Sequence, residues 1–184
     1  DYDTKLLKSA SWSKAISLPI ERLDAFELKK GGIQECPAFQ FYYKNTFVLR
    51  SWHDFKIKLT NTGIRSNMPT ATGHESAFTL HEDNSISIMH SYLFKTDKPT
   101  WVEILPAFYH PNSAMRVYPG TFNIHSWTRP VMPAIELIED VLEVKRGDPL
   151  AYLRFRTEDV SESFSLKLEE DSESIKSMQE QAAS

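Results

Sequence analysis

Six histidines are the residues of this sequence with the clearest potential for metal chemistry, because neutral imidazole is the commonest metal ligand among side chains. They stand at His53, His74, His81, His90, His110 and His125. A jelly-roll metal site takes histidine and acidic ligands from alternate positions of a strand, so that both point at one ion. His53, His74 and His81 are each followed directly by an acidic residue, which a strand directs to its opposite face.

We therefore predict histidines that lie at the surface or make hydrogen bonds, and no metal. A metal-dependent oxygenase of the jelly-roll type, with a three-histidine site assembled from separate strands, stays an alternative. Its ligands would come from His74, His81, His90, His110 and His125.

The single cysteine, Cys36, is followed by Pro37 and by aromatic residues. Nothing near it activates a thiolate, so we predict a small buried hydrophobe rather than a nucleophile. The sequence also has no Gly-x-Ser-x-Gly elbow and neither a phosphate loop nor a dinucleotide fingerprint. We therefore predict no cofactor.

Three residues are candidates for holding an anion: Arg65 and Ser66, which are adjacent, and Arg129 in Trp-Thr-Arg-Pro. Each also suits a turn. A run of aromatic residues between Phe39 and Trp52 is interleaved with Lys44 and Arg50. Such a run could stack on bases or sugars, but we interpret it as an ordinary strand with one face in the core.

The elements that must position these residues are mostly short strands. Phe55–Leu59 alternates apolar and polar residues, as a half-buried strand does, and residues 60–63 have turn chemistry. Residues 76–80 and 85–89 flank a polar stretch and predict a hairpin. Strands then recur to Phe155 without an intervening amphipathic helix, which favours antiparallel pairing over βαβ units. The predicted core residues are Trp101, Ile104, Leu105, Phe122, Ile124, Ile135, Leu137, Leu150, Leu153 and Phe155.

We predict a mainly β protein, an antiparallel rolled barrel or sandwich of the β-clip or jelly-roll kind, in three parts. Residues 1–35 form an irregular N-terminal extension, residues 36–157 the β domain, and residues 158–184 an acidic, polar tail that is mobile or forms a short helix. A net charge of −4 with 41% hydrophobic residues indicates a globular chain without general nucleic-acid binding. No apolar run is long enough for a membrane span.

Two segments resemble uncharacterised proteins of tailed phages, notably phages of marine cyanobacteria. They are Cys36-Pro-Ala-Phe-Gln-Phe-Tyr-Tyr through Ser51, and Pro119-Gly-Thr-Phe-Asn-Ile-His with Arg146-Gly-Asp-Pro-Leu-Ala-Tyr. The resemblance assigns no activity. It implies a location in the cytoplasm of an infected bacterial host or in the virion.

The C-terminal half is also similar to dCTP deaminases and dUTPases, which are β-clip proteins. Pro119-Gly120 and Gly147-Asp148-Pro149 occupy places comparable to that family's Pro-Gly turn and closing strand. The family's phosphate-binding Arg-Ser has only Arg65-Ser66 as a counterpart, and its catalytic carboxylate and Gly-rich arm have none. The resemblance therefore implies a related fold more than an activity.

For function, we predict a non-enzymatic binding or structural protein, phage-derived and oligomeric, because a sheet protein must cover its edges. Its partner is another protein or a second copy of itself, and not a membrane. One alternative is a nucleotide-binding or nucleotide-processing β-clip enzyme, in which Arg65, Ser66 and Arg129 contact phosphates. The other is the metal oxygenase described above.

Overall fold

A computed structural model describes residues 2–8, 20–23, 35–61, 63–66, 78–81, 83, 85–88, 92–127 and 130–169. The described residues form fifteen β-strands and one α-helix. The strands are β1 (Tyr2–Lys8), β2 (Glu21–Arg22), β3 (Thr46–Arg50), β4 (Phe55–Thr60), β5 (Gly63–Ser66), β6 (Phe78–Leu80), β7 (Ile86–Ile88), β8 (Tyr92–Lys95), β9 (Trp101–Leu105), β10 (Met115–Val117), β11 (Gly120–Asn123), β12 (Ala134–Leu137), β13 (Val141–Val144), β14 (Pro149–Arg156) and β15 (Phe164–Glu169). The helix is α1 (Pro37–Tyr43).

The strands pair into four sheets within the described ranges. The largest has five strands in the order β11-β9-β14-β3-β2, and a second has the order β10-β12-β7-β6. Two three-stranded sheets have the orders β15-β1-β8 and β13-β4-β5. All pairings among these strands are antiparallel except that of β1 with β15. The predicted mainly antiparallel β class is therefore confirmed, and separate sheets are consistent with a sandwich.

The main core lies against one face of the five-stranded sheet. Successive strand residues point to opposite faces, and on β9 Val102 and Ile104 enter this core. Leu153 and Phe155 do the same on β14, where Phe155 lies 5.0 Å from the ring of Phe94. The intervening residues of both strands therefore lie on the other face of the sheet, which is called here the outer face.

The predicted core is confirmed for six of its ten residues, which are buried: Ile104, Ile124, Ile135, Leu150, Leu153 and Phe155. The other four are half-buried. Phe122 and Leu137 pack against the edge of the main core. Leu105 instead faces the outer side, where it joins a second cluster.

Two local predictions from turn chemistry are confirmed. Residues 78–80 and 86–88 pair as an antiparallel hairpin, and the backbone amide of Ser85 bonds to Asp83 Oδ1 at 2.9 Å in its turn. The turn after β4 closes at Gly63, whose φ of +118° suits glycine. There Thr60 Oγ1 donates a hydrogen bond to the Gly63 carbonyl at 2.6 Å.

Several segments differ from their predicted structure. Residues 2–8 and 21–22, predicted as part of an irregular N-terminal extension, form β1 and β2 and pair within two of the sheets. Residues 37–43, predicted as strand, form α1. Residues 164–169, predicted as part of a mobile or helical tail, form β15 and pair with β1, and the ring of Phe164 is buried in the main core. The proposed division of the chain at residues 35 and 157 stays a prediction. In the part of the chain described, no helix has the length and apolar character needed to cross a membrane.

Candidate functional site

The helix α1 begins where a proline favours it. Pro37 stands in the first turn, where its fixed φ suits a helix and its missing N–H costs no hydrogen bond. The Cys36 carbonyl accepts hydrogen bonds from the amides of Phe39 and Gln40, both at 3.0 Å. Phe39 and Tyr43 are four residues apart and therefore share one face of the helix, with ring centroids 4.5 Å apart. Phe39 and Tyr43, whose aromatic surroundings predict a strand, therefore lie on one face of a helix.

That face packs on the outer side of the five-stranded sheet. Val48 of β3, Leu105 of β9 and Tyr152 of β14 form one row across the strands. Val48 and Tyr152 are fully buried there, in a cluster with Tyr43, Leu23 and Ala107. This row is covered by α1 and by residues 106–110, which follow β9.

Residues 106–110 add further rings to the cover. Phe108 lies 4.7 Å from Tyr109, 5.3 Å from Tyr43 and 6.0 Å from Tyr152 by ring centroids. Tyr109 also lies edge-on to Phe39 at 5.3 Å. Edge-to-face and tilted contacts at these separations are favourable beyond the area they bury. We call Phe39, Tyr43, Phe108, Tyr109 and Tyr152 the aromatic cluster.

The aromatic cluster is exposed at its rim. Phe108 is 48% exposed although its ring contacts those of the other four members of the aromatic cluster. Phe41 is 58% exposed; it lies two residues from both Phe39 and Tyr43 and therefore on the far side of α1. Two neighbouring elements thus each present one large apolar ring to solvent.

Polar contacts of His110, Tyr152 and Arg50 lie beside the aromatic cluster. His110 Nδ1 and Tyr152 Oη are 2.7 Å apart, with the two rings perpendicular. Arg50 Nη1 donates to the Gly147 carbonyl at 2.6 Å and Nη2 pairs with Glu21 at 3.4 Å. His110 thus joins residues 106–110 to β14, and Arg50 joins β3 to β2 and to the turn before β14.

Burial sets the protonation of these side chains. Burial raises the pKa of Tyr152 to about 12, so its hydroxyl keeps its proton at neutral pH. Burial and the positive charge of Arg50 lower the pKa of His110. Burial also raises the pKa of Tyr109. At neutral pH the cluster therefore offers rings and neutral hydrogen-bonding groups beside one arginine.

The predicted anion-binding residues are placed as follows. Arg65 is exposed on β5, and Ser66 is half-buried on the same strand. As strand neighbours they point to opposite faces of the sheet. Arg65 stands opposite Lys58 of β4. Arg129 lies outside the described residues, so their predicted role in phosphate binding stays a prediction.

The candidate metal ligands are dispersed among separate elements. His81 is exposed and bonds to Ser87 at 2.7 Å; His110 bonds to Tyr152, and His125 is exposed beside the Thr96 carbonyl at 3.3 Å. His81 and Asp83 have histidine-x-acid spacing, but both lie in the β6–β7 turn region. Across the described ranges, no three His, Cys, Asp or Glu side chains form a group that could hold a metal. His74 and His90 lie outside those ranges.

Cys36 is half-buried and precedes α1. The contact between His110 and Tyr152 could not be predicted from the sequence, because 42 residues separate them.

Comparison with known proteins adds no assignment: the chain matches no family model, no curated protein and no solved structure.

Proposed function

We propose that this protein is a non-enzymatic binding or structural protein that associates with other copies of itself through the exposed rim of the aromatic cluster. One observation carries the proposal: Phe108 is 48% exposed while its ring is held in place by Tyr43, Tyr109 and Tyr152. A ring that is already packed loses little side-chain entropy when a partner covers it. Aromatic residues of this kind dominate the energetics of many interfaces.

The second exposed ring, Phe41, extends the surface onto α1. The same sheet also has edge strands, β11 and β2, in the order described. Covering such edges with neighbouring subunits is one way in which sheet proteins avoid unspecific pairing. These features favour self-association over binding of a small molecule.

Sedimentation velocity over a range of protein concentrations tests this proposal. We expect the wild type to form an oligomer that Phe108→Ser dissociates and Phe41→Ser weakens. Val160→Ser is the matched control, because Val160 is 67% exposed but lies between β14 and β15. A wild type that stays monomeric, or an oligomer that survives Phe108→Ser, would contradict the proposal.

The resemblance of two segments to tailed-phage proteins supports the proposal that this chain is a phage product. It would act in the cytoplasm of the infected host or in the virion. Mass spectrometry of purified particles and of lysate from infected cells distinguishes the two locations. Absence from both samples would contradict a phage role.

A further inference from the structure

Beyond the covered row, strand β14 carries two arginines on the outer face of the five-stranded sheet. Arg154 stands directly opposite Glu103 of β9, and Arg156 stands directly opposite Trp101 of the same strand. Residues two apart on a strand share a face, so these four residues lie on the same side of the sheet. Diagonal neighbours on paired strands are about 7–8 Å apart, within reach of long side chains. Arg156 can therefore contact Glu103 as well as Trp101.

Glu103 holds both guanidinium groups. Arg154 pairs with Oε2 of Glu103 through Nε, at 2.6 Å, and through Nη2. Arg156 pairs with Oε1 of the same carboxylate through Nε, at 2.6 Å. Glu103 itself is only 8% exposed, so the group that fixes Arg156 is embedded in the sheet. The guanidinium of Arg156 is therefore oriented before any ligand arrives.

The outer end of the Arg156 guanidinium is open to solvent. Most of the N–H donors of a guanidinium belong to Nη1 and Nη2. Within the described ranges neither Nη atom of Arg156 makes an ion pair or a hydrogen bond, and the side chain is 53% exposed. Arg116 is a useful contrast, because it uses Nη1 to pair with Glu136 at 3.0 Å. Arg156 instead presents its whole Nη1–Nη2 fork outward.

The positive charge of Arg156 is only partly neutralised. Glu103 carries one negative charge and shares it with Arg154 as well as Arg156. The next acidic residue along the chain, Glu158, lies beyond the end of β14. In the part of the chain that the structure describes, Glu158 makes no ion pair with either arginine. An anionic ligand would complete the charge balance at Arg156.

Trp101 adds a flat ring and a further donor beside Arg156. Directly opposite residues of paired strands have Cβ atoms about 4.5–5.5 Å apart, and Trp101 is half-buried there. An indole N–H can only donate, and that of Trp101 makes no hydrogen bond among the described residues. Arg156 and Trp101 together therefore offer N–H donors and an apolar surface.

We propose that Arg156 and Trp101 form a binding site for the phosphate group of a small phosphomonoester. The Nη1–Nη2 fork matches two oxygens of a phosphate in a bidentate contact, and the indole N–H is a third donor. A phosphomonoester has three terminal oxygens, whereas a carboxylate has two. The ring of Trp101 supplies a surface for the rest of the ligand. This site goes beyond the proposed self-association and does not require it.

An NMR titration of isotope-labelled protein at low ionic strength tests the site. Phenyl phosphate is the main probe; benzoate carries the same ring on a carboxylate, and inorganic phosphate lacks the ring. We expect phenyl phosphate to shift the Arg156 Nε–H and Trp101 indole signals to saturation and to bind more tightly than either other probe. Added salt should weaken this binding, because the site is exposed.

The protein is kept at a dilution at which sedimentation shows it to be monomeric, so that a failed site leaves the proposed self-association untouched. Equal affinity for benzoate would overturn the phosphate assignment. Equal affinity for inorganic phosphate would remove the ring of Trp101 from the site. The absence of any saturable shift in the wild type would overturn the whole proposal, and that result needs no variant.

Two variants of Arg156 and one control complete the test. Arg156→Gln removes the charge-assisted contacts and should weaken phenyl phosphate binding by about tenfold or more. Arg156→Lys keeps the charge but not the fork, so it should also bind more weakly than wild type. Arg116→Gln is the matched control, because Arg116 is also a strand arginine paired with a glutamate across the sheet; it should bind as wild type. Wild-type affinity in Arg156→Gln, or an equal loss in Arg116→Gln, would overturn the site.

Discussion

Two neighbouring rows of side chains on the outer face of the five-stranded sheet differ completely in character. The first row, Val48, Tyr152 and Leu105, lies beneath α1 and residues 106–110. The second row lies one step along the same strands and consists of Thr46, Arg154, Glu103 and Thr121. The strands are the same, so the difference lies in the side chains that each row presents.

In the second row, a buried glutamate pairs with arginine side chains instead of packing beneath apolar residues. Glu103 is 8% exposed and accepts hydrogen bonds from Arg154 Nε and Arg156 Nε, both at 2.6 Å. Its two oxygens are thus each paired with a guanidinium. A carboxylate this deeply placed is tolerated because it is paired and hydrogen-bonded. The comparison teaches that this face of the sheet can bury apolar residues beneath a cover in one row and a glutamate paired with two arginines in the next.

Removing the centre of the covered row should have the largest effect on stability. Tyr152→Ala deletes a fully buried ring and leaves a cavity beneath the aromatic cluster, which should cost about 3–5 kcal/mol of unfolding free energy. Urea denaturation measures the loss. Tyr118→Ala is the control, because Tyr118 is 40% exposed and should change stability by less than about 1 kcal/mol. Equal losses in the two variants would show that the covered row is not part of the core.

Breaking the charged row should cost less. Glu103→Ala leaves Arg154, whose side chain is 20% exposed, without its carboxylate. Buried pairs lose about 3–5 kcal/mol when one partner is removed, and partial exposure of both arginines reduces this to about 2 kcal/mol.

The matched control for the charged row is Glu136→Ala. Glu136 faces Arg116 across β10 and β12 at 3.0 Å, but both side chains are well exposed. Its removal should cost about 0.2–1 kcal/mol. If urea denaturation gave the same loss for both glutamates, burial would not distinguish the two ion pairs.

A change on an open sheet face should have the smallest effect on folding. Arg65 is exposed on β5 opposite Lys58, so Arg65→Ala should alter stability by no more than about 0.5 kcal/mol. Under the nucleotide-binding alternative it should abolish binding of deoxynucleotides, measured by calorimetry, whereas Arg116→Ala should not. Nucleotide binding that persists in Arg65→Ala would remove Arg65 from that site.

Local patterns predicted most of the strands correctly, and the exceptions have physical reasons. Residues 55–60 alternate apolar and polar side chains and form β4, because period two places one set of side chains in the core. Phe164, Leu166 and Leu168 alternate in the same way in β15. The acidic residues that follow, Glu169 to Asp171, are typical of a polar tail and mask this strand signal.

The helix α1 could not be predicted from its residues alone. Phe and Tyr are strand formers by propensity, and seven residues are too few to be stable as an isolated helix. Its stability comes from packing Phe39 and Tyr43 on Val48 and Tyr152. Tertiary contacts override propensity here, because the helix places both rings against the buried outer face of the sheet.

The amino-acid sequence by itself determined the mainly β class, the turns at residues 60–63 and 81–85, and most of the core, because these depend on period and turn chemistry over a few residues. The tertiary structure decided which strands are neighbours, that Tyr152 meets His110, and that Phe108 is held yet exposed. Those relations join residues far apart in the chain. They arise from the pairing of distant strands and from the packing of α1 and residues 106–110 on the sheet, which depend on contacts between residues far apart in the chain.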